Sequence, residues 1–244
     1  SDSPCQRSAS FWRSHVEGIA ENIQGVLERI KSACSRVNRD PSSIKVVAVT
    51  KGIGMEAIRE AYNAGLRIFG ENYLQEAKSK IQGLPGNAVW HFIGHLQRNK
   101  AKAVVGSFEV IHSIDSLRLA EEVAIRAREK NVAQKVFLQV NIAGESAKSG
   151  CGKNDALQIL DSMSRMEGLE LQGLMCIPPL SEDAGASRPY FKELREIRDR
   201  AAEMLNKPIE SLGLSMGMSA DFEVAIEEGA TAIRIGTAIF GPRN

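Results

Sequence analysis

After Pro41 the chain falls into a repeat that few folds can accommodate: short apolar runs of strand length, each followed by a polar residue and then by a segment with helical spacing. Eight such runs are present, Ile44 to Thr50, Leu66 to Phe69, Ala88 to Ile93, Glu109 to Ser113, Lys135 to Asn141, Leu169 to Cys176, Ser211 to Met216 and Ala232 to Ile235. Runs such as Val46-Val47-Ala48-Val49 are apolar on both faces, as strands of a parallel sheet covered by helices must be. Strict alternation of strand and helix leaves a closed barrel or an open doubly wound sheet. Eight units in 244 residues match a (β/α)8 TIM barrel, and no G-x-G-x-x-G follows the first strand as a dinucleotide fold would require. The expected fold is therefore α/β, one barrel domain spanning residues 1–244 with the barrel proper at 44–241.

Two helices stand out. Between Phe11 and Val37 the residues Val16, Ile19, Ile23, Val26, Ile30, Ala33 and Val37 form one apolar stripe, so an extra N-terminal helix is expected over 11–37. The stripe suits either a helix closing the floor of the barrel or a coiled-coil seam; the first use favours a monomer. Ser187 with Pro189 makes a good helix start, and Phe191, Leu194, Ile197, Ala201 and Met204 continue one face.

Composition narrows the partners. Lys plus Arg total 31 against 30 Asp plus Glu, so nothing draws the chain to nucleic acid or to an anionic membrane. Cys5, Cys34, Cys151 and Cys176 are scattered without a C-x-x-C pair, which points to reduced thiols and a cytoplasmic setting. No apolar run nears the roughly 20 residues a bilayer requires. The opening Ser-Asp-Ser-Pro is not a signal peptide, although without an initiator Met a removed targeting segment stays open.

In such a barrel the chemistry belongs where the strand–helix loops converge, at the C-terminal ends of the strands. The polar residues there are Lys51, Glu71, Asn72, His91, His95, Ser113, Asp115, Asn141, Ser215, Ser219, Arg234, Gly236 and Thr237. Lys51 leaves an apolar strand with its amine at the mouth, where desolvation and nearby cations would equip it to attack an aldehyde; a lysine projecting into solvent is the plainer reading. The segments Ser215-Met216-Gly217-Met218-Ser219 and Arg234-Ile235-Gly236-Thr237 combine small residues, free backbone N–H groups and hydroxyls in the loops that hold phosphate in many barrels, or else serve only as tight turns. Arg234 could bind phosphate or pair with Glu71 or Asp221; facing a pyridine nitrogen, it could only donate a hydrogen bond and would leave the ring unprotonated. His91 and His95 are four apart but straddle a strand end with no third ligand near, and His112 reads as packing.

Five segments in one order carry a family likeness: Val47-Ala-Val-Thr-Lys51, Phe69-Gly-Glu-Asn-Tyr-Leu-Gln-Glu76, Trp90-His-Phe-Ile-Gly-His-Leu-Gln-Arg-Asn-Lys100, Leu214-Ser-Met-Gly-Met-Ser219 and Ile233-Arg-Ile-Gly-Thr-Ala-Ile-Phe-Gly241. Together they resemble the pyridoxal phosphate homeostasis protein family, from strand one to the C-terminus. The resemblance implies an alanine-racemase-type barrel with pyridoxal 5′-phosphate held as a Schiff base on Lys51. By the same likeness Ser215, Gly236 and Thr237 hold the phosphate, Arg234 faces the pyridine nitrogen and Asn72 lines the cofactor. The family usually has a Pro after its lysine motif, where this chain has Gly52-Ile53-Gly54, a change that bears on loop mobility.

The resemblance further implies a carrier serving vitamin B6 homeostasis that hands its cofactor to dependent apoenzymes. With the chain ending at Asn244, the second domain that gives racemases an opposing acid or base is expected to be missing, and racemisation with it. An undiscovered enzyme using Lys51 or His95 as base, and a cofactor-free Schiff-base aldolase, are the competing functions.

Overall fold

The computed structural model describes residues 18–242. Nine strands run in chain order: β1 Lys45–Val49, β2 Ile68–Glu71, β3 Val89–Phe92, β4 Val110–Ile114, β5 Gln134–Asn141, β6 Cys151–Gly152, β7 Leu169–Met175, β8 Gly213–Ser215 and β9 Ala232–Ile235. Each barrel neighbour pairs in parallel in the order β4-β3-β2-β1-β9-β8-β7-β5, and β4 pairs with β5 to close the circle. Eight strands thus form the expected TIM barrel, each at or near its apolar run. The two-residue β6 is additional; it pairs with the end of β5, Val140 facing Cys151, and no apolar run announced it.

The helices are α1 Ile19–Arg36, α2 Met55–Asn63, α3 Leu74–Gly83, α4 Ala101–Val104, α5 Leu117–Glu129, α6 Ala156–Ser164, α7 Arg188–Met204, α8 Phe222–Glu227 and α9 Thr237–Phe240. Most of the aliphatic core lies between this layer and the barrel. In α7, Phe191, Leu194, Ile197 and Ala201 are buried as their spacing requires, but Met204 is exposed in the last turn. Ser187 does not cap α7 with its side chain; its hydroxyl donates to Asp221 Oδ2 at 2.8 Å instead.

The stripe of α1 is buried at Ile23, Val26, Ile30 and Ala33, while Val37 is exposed and the expected stretch before residue 18, like Cys5, lies outside the described residues. This helix does not close the floor. It packs in the outer ring beside α2, α8 and α9. Asn22 Nδ2 donates to Ile239 O at 2.9 Å, Arg29 pairs with Glu223 at 2.8 Å and lies 4.4 Å from the Phe222 ring, and Arg36 pairs with Glu227 at 2.7 Å. The ring of short helices α8 and α9 leaves a gap beside β9 and β1, and α1 has the length to fill it.

Glycine is demanded where β7 meets β8. Gly173 has φ of 141°, and a Cβ there would lie 1.9 Å from Gly213 O. Gly173→Ala is expected to cost at least about 2 kcal/mol through backbone strain and overlap; urea denaturation measures it.

Candidate functional site

The register of the central strands decides which loops meet. Ala48 of β1 pairs with Phe69 of β2 on one side and Ile235 of β9 on the other, so Lys51, Asn72 and Gly236 leave the same end of three adjacent strands. Lys51 is half-buried, its Nζ 5.2 Å from the centroid of the exposed Tyr73 ring. Gly52, with φ of 69°, turns the chain directly after it, and its N–H donates to Glu76 Oε2 at 3.0 Å.

The strand end that carries Lys51 is pinned by a buried ion pair. Lys80 Nζ of α3 donates to Glu71 Oε1 at 2.6 Å and to Thr50 O at 2.7 Å, with Glu76 Oε2 at 3.2 Å. Thr50 Oγ1 donates to the same Glu71 oxygen at 2.5 Å. One ammonium therefore joins the ends of β1 and β2 to α3, while Glu71 Oε2, also buried, has no hydrogen-bond partner among the described residues. Asn72 follows Glu71, and its backbone is approached closely: a Cβ on Gly94 would lie 2.2 Å from Asn72 O. Sequence reasoning did not single out Lys80. The available signal was its place three residues after the buried Ala77 on α3.

At the β8 and β9 ends the loops form a cup. The N–H groups of Gly236 and Ala238 both donate to Ser219 Oγ, at 3.3 and 3.2 Å, and the Thr237 side chain is exposed beside them. The loop reaches this position by tucking Gly217, with φ of 92°, against α8, where a Cβ would lie 2.5 Å from that of Ala225. Asp221 holds the same loop by accepting from Met218 N–H at 2.7 Å. Two backbone N–H groups converging on one partly exposed hydroxyl, with the exposed Thr237 hydroxyl beside it, are a suitable donor set for a phosphate.

Ser215 occupies a different place from the cup. Its hydroxyl is fully buried inside the barrel, 2.8 Å from His112 Nδ1 and 2.6 Å from Arg234 Nη1, and it is Ser219 that meets the backbone of Gly236 and Ala238. Arg234 pairs with neither Glu71 nor Asp221. Its Nη2 donates to Cys176 O at 2.9 Å, and it forms no ion pair with a carboxylate among the described residues. Burial pulls its pKa below the ordinary arginine value, yet a guanidinium remains protonated. Two of its five donors are used by the protein, which leaves three for an acceptor above.

His112 does more than pack. Its Nε2 is 2.9 Å from His91 Nδ1, and its ring stacks on Phe137 with centroids 4.8 Å apart. Because β4 and β8 are not neighbours in the sheet, the His112–Ser215 bond crosses the barrel interior. Burial lowers the His91 pKa to about 4, and burial with the adjacent His91 carries His112 well below the usual imidazole value. His95, by contrast, is exposed near the mouth, with Nδ1 3.5 Å from Asp115 Oδ2.

The family model for the N-terminal domain of alanine racemase matches residues 22–244. The pyridoxal phosphate homeostasis protein of Aquifex aeolicus is 43% identical over 224 residues, covering 91% of this chain and 97% of the relative. The chain belongs to the pyridoxal phosphate homeostasis protein family. The human member is 37% identical, covering 93% of this chain and 87% of its own length. Among solved structures, PipY of Synechococcus elongatus with PLP bound superposes with a TM-score of 0.76 at 39% identity, covering 88% of this chain and 100% of that one. An alanine racemase of Clostridium difficile, 14% identical with a TM-score of 0.70, shares the fold; 91% of this chain corresponds to 56% of that one.

Two outcomes follow from the site's buried groups. Lys80→Met leaves the Glu71 carboxylate uncompensated and is expected to cost about 3–5 kcal/mol in urea denaturation, much of it regained in Lys80→Met/Glu71→Leu. His91 titrates near 4 when folded and near 6.5 when unfolded, so its contribution is complete above pH 6.5 and is lost as pH falls toward 4. That loss is about 3 kcal/mol, and His91→Phe should show a correspondingly shallower decline in stability between pH 7.5 and 4.5.

Proposed function

We propose that this chain binds pyridoxal 5′-phosphate as a Schiff base on Lys51 and serves intracellular vitamin B6 homeostasis as a carrier, without turnover. The observation that carries the reading is the convergence of Gly236 N–H and Ala238 N–H on Ser219 Oγ, one strand away from the β1 end that presents Lys51. A phosphate held in this cup would leave the cofactor's aldehyde to be met by Lys51 and its ring nitrogen by Arg234. The relative solved with PLP bound supports the same ligand.

When bound, the cofactor supplies an aldehyde for amine capture and, if its ring nitrogen is protonated, an electron sink. The protein's part is to hold and to limit. Ser219, Gly236, Ala238 and Thr237 bind the phosphate through N–H and O–H donors, and the backbone near Ser215 supports that loop. Asn72, fixed from behind by Gly94, lines the ring's side. Arg234, with donors beyond those given to Ser215 and Cys176, would donate to the ring nitrogen and, having no acceptor capacity and no proton to release, would withhold the protonation that carbanion chemistry requires. Tyr73 covers the Lys51 amine on the outer side, and the Gly52 turn leaves that edge open for release. Release to apoenzymes is the natural use of such a site, in the cytoplasm and by a monomer. Among the described residues no helix is long and apolar enough to cross a membrane.

Wild-type protein given pyridoxal phosphate is expected to show a visible absorption band abolished by borohydride, and Lys51→Ala to show none. Ser219→Ala, losing one charge-assisted hydrogen bond, should retain the band with affinity weakened by at least about tenfold. Turnover of an amino acid that disappears in Lys51→Ala would overturn the carrier reading; an unchanged affinity in Ser219→Ala would overturn the assignment of the cup.

A further inference from the structure

With α1 in the outer ring, no helix among the described residues covers the N-terminal end of the barrel. A cavity of about 530 Å³ lies there, beneath the first residues of β1, β4, β8 and β9, at the end opposite to Lys51. Its lining includes Arg39, Lys45, His91, His112, Arg198 and Glu210. The Arg39 guanidinium donates to two carbonyls, Ile226 O at 2.7 Å and Ala230 O at 2.8 Å, which leaves its charge unneutralised. Arg198 bonds Asp199 and Leu212 O. Lys45 is exposed at the rim and has no ion pair or side-chain hydrogen bond among the described residues, although its charge is felt by both His91 and His112. Three cations thus face one carboxylate in the lining, Glu210, with Asp199 alongside Arg198; the nearby Glu109 is paired with Lys135.

The buried chain above the cavity has a fixed polarity. Arg234 can only donate, so Ser215 Oγ accepts from it. The hydroxyl is fully buried between Arg234 and His112, and its own proton has an acceptor only if it goes to His112 Nδ1. His112 then carries its proton on Nε2 and donates to His91 Nδ1. His91 in turn carries its proton on Nε2, an atom with no partner among the described residues, on a side chain 95% buried that lines the cavity. The last donor of the chain therefore looks for an acceptor in a space surrounded by positive charge.

We propose that this floor cavity binds a small oxyanion, a phosphate or a carboxylate, which accepts from His91 Nε2–H and is held by Lys45 with Arg39 and Arg198 around it. The site is separate from the phosphate cup at the mouth and does not depend on the cofactor reading. Glu210 at its rim favours a singly or doubly charged ion over a bulkier polyanion.

The test is a long-range proton–nitrogen NMR spectrum of the imidazoles, which four histidines in the chain keep simple. The protein is first loaded with pyridoxal phosphate, reduced with borohydride and desalted so that the mouth is filled; should it take up none, the protein as purified is used, and Lys45→Met, which alters only the floor, separates binding there from binding at the mouth. Inorganic phosphate is titrated in one arm and succinate in another. The proposal expects His91 and His112 as the Nε2–H tautomers, a saturable movement of the His91 nitrogens with at least one anion, and at least tenfold weaker binding in Lys45→Met, whose melting temperature is unchanged. A His91 proton on Nδ1, no saturable movement with either anion, or equal titrations in wild type and Lys45→Met would overturn it.

Discussion

A closed ring of eight parallel strands has an interior that must be filled, and this barrel fills much of it with hydrogen bonds rather than aliphatic layers. Arg234 is the reason. A guanidinium buried without a carboxylate is tolerable only if its donors find acceptors, and Ser215 Oγ and Cys176 O supply two of them. Ser215 can do so from the centre of the barrel because His112 reaches it from β4, and His112 in turn leans on His91. Val110, Phe137 and Met175 form a small buried cluster apart from the main core. The polar axis thus fixes the orientation of the buried Arg234 guanidinium.

Around that axis the two ends of the barrel are built differently. At the C-terminal end, Lys80 ties β1 and β2 to α3, and Asp221 and Gly217 fold the β8 loop against α8, so the strand end before Lys51 and the loop that carries Ser219 are each pinned from behind. At the N-terminal end no helix among the described residues covers the strands, because α1 serves the ring. Salt bridges from Arg29 and Arg36 to α8 are exposed and contribute little individually, on the order of 1 kcal/mol or less. The buried stripe of α1 carries its attachment.

The barrel was legible in the sequence because each strand is a separate apolar run with a polar residue after it, and the family because five motifs keep their order. Periodicity located Lys51, Arg234 and the Gly236 turn to the correct ends of their strands. It could not say that the Ser215 hydroxyl turns inward to Arg234 while that of Ser219 meets the N–H groups of Gly236 and Ala238, since β8 is only three residues long and Gly217 after it has a positive φ. Nor could it tell that His112 bonds across the barrel, a contact between residues 103 apart in sequence, or that Lys80 would be drawn inward by Glu71. A buried cation at a helical position looks like any surface lysine until its partner is in place. The stripe of α1 announced a buried face without naming the surface it would meet.

The central claim is that the amine at the end of β1 is the one that bears the cofactor. Its most direct test is peptide mass spectrometry after the protein is incubated with pyridoxal phosphate, reduced with borohydride and digested. The account predicts one dominant phosphopyridoxyl adduct, on the peptide containing Lys51 and at that residue. An adduct concentrated on Lys45, Lys80 or another lysine, or spread evenly over exposed lysines, would contradict it.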